Sequence, residues 1–83
     1  MSAMDLITEE ARSNRTVLLD AYEKDGSRES REIEPYSVRP GKAQPRLMFF
    51  CLQRNDWRSV LLGNIVSATP TGRSFMPRYP VEL

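Results

Sequence analysis

The chain predicts a mainly β fold: a small, strongly bent antiparallel barrel of five strands, Sm-like, with a short N-terminal helix over one end. Three observations predict it. Between residues 15 and 69 the side chains alternate apolar and polar in short runs. Turn-forming residues punctuate those runs, at Asp25-Gly26, "RPGKAQP" (39–45), "RND" (54–56) and Gly63-Asn64. Five short strands also leave free edges unless the sheet bends toward closure.

The helix is expected over about 5–13, "DLITEEARS", with Asp5 or Thr8 as its cap and Glu9 and Glu10 near its positive end. Leu6, Ile7 and Ala11 form an apolar stripe, and so short a helix must dock on something to persist. "TVLLDAY" (16–22) is the first strand, with Val17, Leu19 and Ala21 on one face. Asp25-Gly26 signals a two-residue hairpin, because both residues tolerate positive φ. "RESREIEPYSV" (28–38) returns, and Pro35 inside it calls for an edge or a bulge. "RLMFFCL" (46–52) is apolar on both faces, so it is covered on both. The barrel interior supplies one cover, and the N-terminal helix is the candidate for the other. "WRSVLL" (57–62) follows. Gly63-Asn64 makes either a hairpin or a single helical turn, and "IVSA" (65–68) is a short last strand. The barrel therefore occupies about 15–69 of a single domain, 1–83, and 70–83 is a Pro-rich tail.

Composition narrows the function. The chain has no histidine, which removes the commonest general base, metal ligand and pH switch. Cys51 is the only cysteine and lies in an apolar run, so a buried thiol in a reducing, cytoplasmic setting is expected, with no disulfide and no metal site. No cofactor is implied. No apolar run approaches the ~18–20 residues a membrane span needs, and the acidic N-terminal stretch does not resemble a secretory signal. Charge is uneven along the chain. Residues 1–34 hold five basic and nine acidic side chains, and residues 35–83 hold seven and two. Ten of the twelve basic residues are arginine, which suits bidentate contact with phosphate or carboxylate. Glu32 and Glu34 alternate on one strand face, where solvation explains them better than acid–base chemistry, and the chain has no phosphate-cradling glycine loop or nucleophile elbow. A non-enzymatic protein is expected.

The order of pieces along the chain resembles the WYL domain family. "VLLDAYEKDGSRESREIEPYSVRPG" is similar to its first hairpin, through Tyr22, Asp25-Gly26, Arg31, Glu34-Pro35 and Tyr36. "NDWRSVLLGNI" resembles a later segment in which Asp-Trp-Arg precedes a strand, and "GRSF" (72–75) its closing piece. Two departures stand out. Of the naming Trp-Tyr-Leu triad only Leu47 is present, with Pro45 and Arg46 in the other two places. Leu61-Leu62-Gly63-Asn64-Ile65 replaces an Arg-Leu-Asp-Arg-Ile pattern. The resemblance implies a regulatory module that senses ligands or nucleic acids, here a stand-alone copy without the usual DNA-binding winged helix. It carries ligand contact over to Arg31, Tyr36 and Arg58.

Read from the residues, the candidate site is Arg31, Tyr36, Arg46, Trp57 and Arg58, with Arg39 beside them. Arg31, Arg39 and Arg46 lie on neighbouring strands or their ends, so a bent meander can gather them on one rim. Trp57 offers either a stacking platform or a brace for the barrel end. The expected ligand is a single-stranded nucleic acid or a nucleotide. The rival expectation is a protein-interaction or self-association module with no small ligand, in which a free strand edge recruits a partner and "FMPRYPVEL" is a docking peptide.

Overall fold

The computed structural model describes residues 1–83. Helix α1 spans Ala3–Arg12 and is followed by β1 (Arg15–Tyr22), β2 (Arg28–Arg39), β3 (Arg46–Cys51) and β4 (Asp56–Leu61). A 3-10 turn (Leu62–Asn64) leads into β5 (Ile65–Ser74). The five strands form one antiparallel sheet in the order β4-β3-β2-β1-β5. The sheet is bent, but β4 and β5 share no ladder, so the expected barrel is not closed. No helix is long and apolar enough to cross a membrane.

The bend centres on β2. Ile33 is the register partner of both Val17 in β1 and Cys51 in β3, so the first half of β2 pairs mainly with β1 and the second half with β3. Pro35 stands just past the last β1 pair, where a residue without an N–H is tolerated, and a bulge follows between Pro35 and Ser37. The concave face is the core. Val17, Leu19, Ala21, Ile33, Leu47, Phe49, Cys51 and Val60 pack there with Ile7 of the helix. β1 and β3 contribute every second residue, as strand periodicity requires, β2 and β4 contribute Ile33 and Val60, and Ile65 and Ala68 of β5 pack at the margin.

Several local expectations are corrected. Ser2 caps the helix rather than Asp5 or Thr8. Its Oγ accepts from the Asp5 N–H at 3.1 Å and its own N–H donates to Asp5 Oδ2 at 3.0 Å, a reciprocal capping box. The helix joins the core face and does not supply the second cover of β3. Asp25-Gly26 is not a two-residue turn. Glu23 and Ser27 face each other across Lys24-Asp25-Gly26, and only Gly26 takes positive φ, at 88°. That is a type I turn with a glycine bulge, and Asp25 Oδ1 accepts from the Ser27 N–H at 2.9 Å. Gly63-Asn64 resolves as the single helical turn. The last strand is ten residues rather than four, because Pro70 costs little on an edge strand and Gly72, at φ 78°, absorbs a register shift.

A candidate nucleotide groove on the convex face

Strand alternation sends Ser37 and Arg39 of β2, Arg46, Met48 and Phe50 of β3, and Trp57 and Ser59 of β4 to the convex face. The second cover for this face is the segment after β5. The Phe75 N–H donates to Asn14 O at 2.8 Å, and the Glu82 N–H to Tyr36 O at 2.8 Å. Between these points Arg78 lies over the Phe50 ring, 3.8 Å from its centroid, and its Nε donates to Glu34 Oε1 at 3.0 Å. Glu34 is thus buried, where the sequence reading left it on a solvated face. The Tyr36 hydroxyl donates to Glu34 Oε1 at 2.8 Å and accepts from the Arg78 N–H at 2.9 Å. Burial pushes this phenol up to about 12; the Arg78 N–H opposes that shift and the Glu34 carboxylate adds to it.

The aromatic rings are continuous. Trp57 lies 5.0 Å from Tyr36, 5.2 Å from Phe50 and 5.1 Å from Tyr79, measured between ring centroids. Beside them opens a groove of about 480 Å³, walled by Tyr36, Trp57 and Tyr79, floored by Met48, and edged by Arg39 and Glu82. Trp57 is therefore a wall of the convex face and remains 37% exposed. Arg39, on the edge of the groove, is the register partner of Arg46 across β2 and β3, and Arg46 itself stands outside the groove's lining. Like charges placed directly opposite destabilise a sheet unless something neutralises them. Arg39 pairs with Glu82 at 2.6 Å, and Arg46 reaches only the Ser59 hydroxyl, at 3.4 Å.

The remaining candidates sit elsewhere. Arg31 is the register partner of Leu19 and so continues the core row, 5% exposed, with its guanidinium held by Glu23 and Glu29. Arg58 opposes Phe49 and so also lies on the concave side. It lines a second cavity of about 520 Å³, which borders the groove at Trp57 and in which Lys24 and Arg54 are matched by Glu23, Asp25 and Glu29. Of the expected guanidinium rim, Arg39 and Arg46 come together, while Arg31 and Arg58 face the other way. The sequence reading missed Glu34, Arg78, Tyr79 and Glu82 as parts of this face. Its one available signal was the Arg78-Tyr79 pair set between Pro77 and Pro80.

Neither a protein-family model nor a curated protein matches the chain. Among solved structures, its fold is similar to part of the proteasome accessory factor B/C (PafBC) of Arthrobacter aurescens, with a TM-score of 0.77 and 19% identity over 94% of this chain. The chain spans 13% of the length of that protein, and at this identity the likeness concerns the fold.

Proposed function

We propose that the chain is a non-enzymatic, WYL-like regulatory module that binds a nucleotide or a single nucleic-acid strand in the convex groove. The observation that carries this reading is an aromatic wall edged by Arg39, whose cross-strand partner Arg46 stands just outside the groove's lining. A base stacks on an aromatic face for roughly 1–3 kcal/mol, and its phosphate pairs with Arg46, which no carboxylate holds, and competes with Glu82 for Arg39. Trp57 and Tyr36 supply the stacking surface, and Arg39 and Arg46 the charge. The sequence resemblance to WYL domains and the fold likeness support the regulatory class. The ligand class rests on the groove itself.

Trp57 is the only tryptophan and lies in the wall, so it reports on occupancy directly. Titrating the chain with a thymidylate 12-mer at low salt is expected to quench Trp57 fluorescence saturably, and the effect is expected to fade as salt rises. An unchanged spectrum, together with no shift in the polarisation of a labelled oligonucleotide, would remove the proposal.

A second reading, self-association, is favoured by β5. It is a ten-residue edge strand with no strand beyond it, and Val66 is exposed on it. Light scattering across a concentration series decides this. Growth of a dimer with concentration supports edge pairing, and a constant monomer mass excludes it.

A further inference from the structure

The segment after β5 forms part of the groove's own boundary. The Tyr79 ring rests against Trp57, tilted at 42°, and the Glu82 carboxylate lies 2.6 Å from the Arg39 guanidinium. A planar ring on the stacking wall and an anion on the arginine stand where the proposed ligand's base and phosphate belong. The backbone of this segment is held more firmly than its Tyr79 and Glu82 side chains. Arg78 is fixed by three contacts at once: the Glu34 carboxylate, the Phe50 ring and the Tyr36 hydroxyl. Beyond it, Tyr79 is 62% exposed, and the Arg39–Glu82 pair is more than half exposed on both sides, a setting in which ion pairs contribute little. The backbone is therefore fastened on both sides of the groove, at Arg78 and again where the Glu82 N–H donates to Tyr36 O at 2.8 Å, while the Tyr79 and Glu82 side chains between and at these points are free to swing.

We propose that Arg78–Glu82 is an internal nucleotide mimic, a strap pinned at Arg78 and at the Glu82 N–H, whose Tyr79 ring and Glu82 carboxylate must swing aside before a nucleic-acid strand enters the groove. This rests on the groove being the binding site. The strap sets a threshold for binding: if it is closed nine-tenths of the time, it lowers the apparent affinity about tenfold. It also discriminates among ligands. An isolated anion displaces Glu82 but leaves the ring in place, and an uncharged ring leaves Glu82 in place. A ligand that carries both groups displaces both.

The test compares the full chain with two single variants, Tyr79→Ala and Glu82→Gln, each retaining Arg78 and its pin. Each variant is first shown to melt cooperatively. The readout is the polarisation of a labelled thymidylate 12-mer, so that losing Tyr79 beside Trp57 does not confound the signal. The strap predicts that both variants bind more tightly than the parent chain, by roughly threefold to tenfold. Tyr79→Ala is the decisive arm, because it leaves the charge of the face unchanged. Tighter binding by Glu82→Gln alone means a simple charge effect and overturns the strap. Equal or weaker binding by Tyr79→Ala overturns it too, while the groove reading survives. If none of the three chains binds, both proposals fall.

Discussion

The Tyr36 hydroxyl joins two parts of the chain forty-two residues apart, donating to Glu34 Oε1 at 2.8 Å and accepting from the Arg78 N–H at 2.9 Å. One oxygen thus ties the bulge of β2 to the segment that covers the convex face. Tyr36→Phe keeps the ring stacked near Trp57 but leaves the Arg78 N–H and one side of a buried carboxylate without this partner. The expected cost is about 1–2 kcal/mol in urea denaturation, with Trp57 emission shifting as the segment loosens.

The same oxygen sets an alkaline limit. The folded protein holds this phenol protonated up to about 12, against an ordinary value of 10.0. Its contribution is fully present below pH 10 and is lost as pH rises through the folded value, because the unfolded chain ionises first. Stability is expected to fall between about pH 10 and 12 in the native chain. In Tyr36→Phe that part of the decline is expected to be absent, which a denaturation series across pH measures.

Arg31 is expected to be structural. It continues the Leu19 row of the core, and Glu23 and Glu29 hold its guanidinium. Arg31→Met keeps most of the apolar stem but leaves Glu23 without its cation and Glu29 with Arg54 alone, at 3.7 Å. Because both are partly solvated, the expected cost is about 1–3 kcal/mol rather than that of a fully buried pair. Oligonucleotide affinity is expected to stay within a factor of about two, since Arg31 faces away from the groove. A large loss of affinity in a variant that still folds would return Arg31 to the binding site.

Local chemistry explains which parts of this fold were legible in the sequence. Leu47, Phe49 and Cys51 alternate with Met48 and Phe50, and two covered faces follow from that pattern alone. A missing N–H has few places to go, and of the edge or bulge that Pro35 called for, the bulge is found and β2 is the central strand. Pro70 and Gly72 misled for the same reason in reverse. Both break an interior strand, but β5 lies at the edge, where they are tolerated. Arg31 was misplaced because a charged residue usually marks the solvated side, and here two glutamates from the β1–β2 hairpin travel inward with it. The tail contacts were hidden because Arg78 meets Glu34 across forty-four residues, and no periodicity reports a contact at that range.

Glu32 is expected to control the acid limb. Its carboxylate lies below the usual glutamate range, chiefly because Thr16 donates to it at 2.6 Å and also because Arg73 of β5 binds it. A depressed folded value stabilises above the unfolded value of 4.5, and that stabilisation is lost as pH falls through the folded one. Because this contact spans β1, β2 and β5, the edge strand is expected to loosen first. Hydrogen exchange at pH 3 is expected to rise in β5 before β3, and Glu32→Gln is expected to show that loosening already at pH 6. Uniform exchange across the sheet at both values would argue against Glu32 as the clasp.

Arg39 and Arg46 give the sharpest test of the groove, because the salt dependence of binding counts phosphate contacts independently of absolute affinity. For single strands the slope of log K against log salt is about −0.7 per phosphate neutralised. Removing either arginine is expected to weaken oligonucleotide binding and to make the slope shallower by about 0.7. Arg39→Ala also frees Glu82, so its loss of affinity is expected to be the larger of the two. Trp57→Ala is expected to behave differently. It removes stacking worth roughly 1–3 kcal/mol per base while leaving the slope unchanged. Arg58→Ala serves as the internal control, since Arg58 opposes Phe49 on the concave side. If Arg58→Ala changes the slope and Arg39→Ala does not, the phosphate path runs through the mixed-charge cavity beside the β1–β2 hairpin rather than along the convex face.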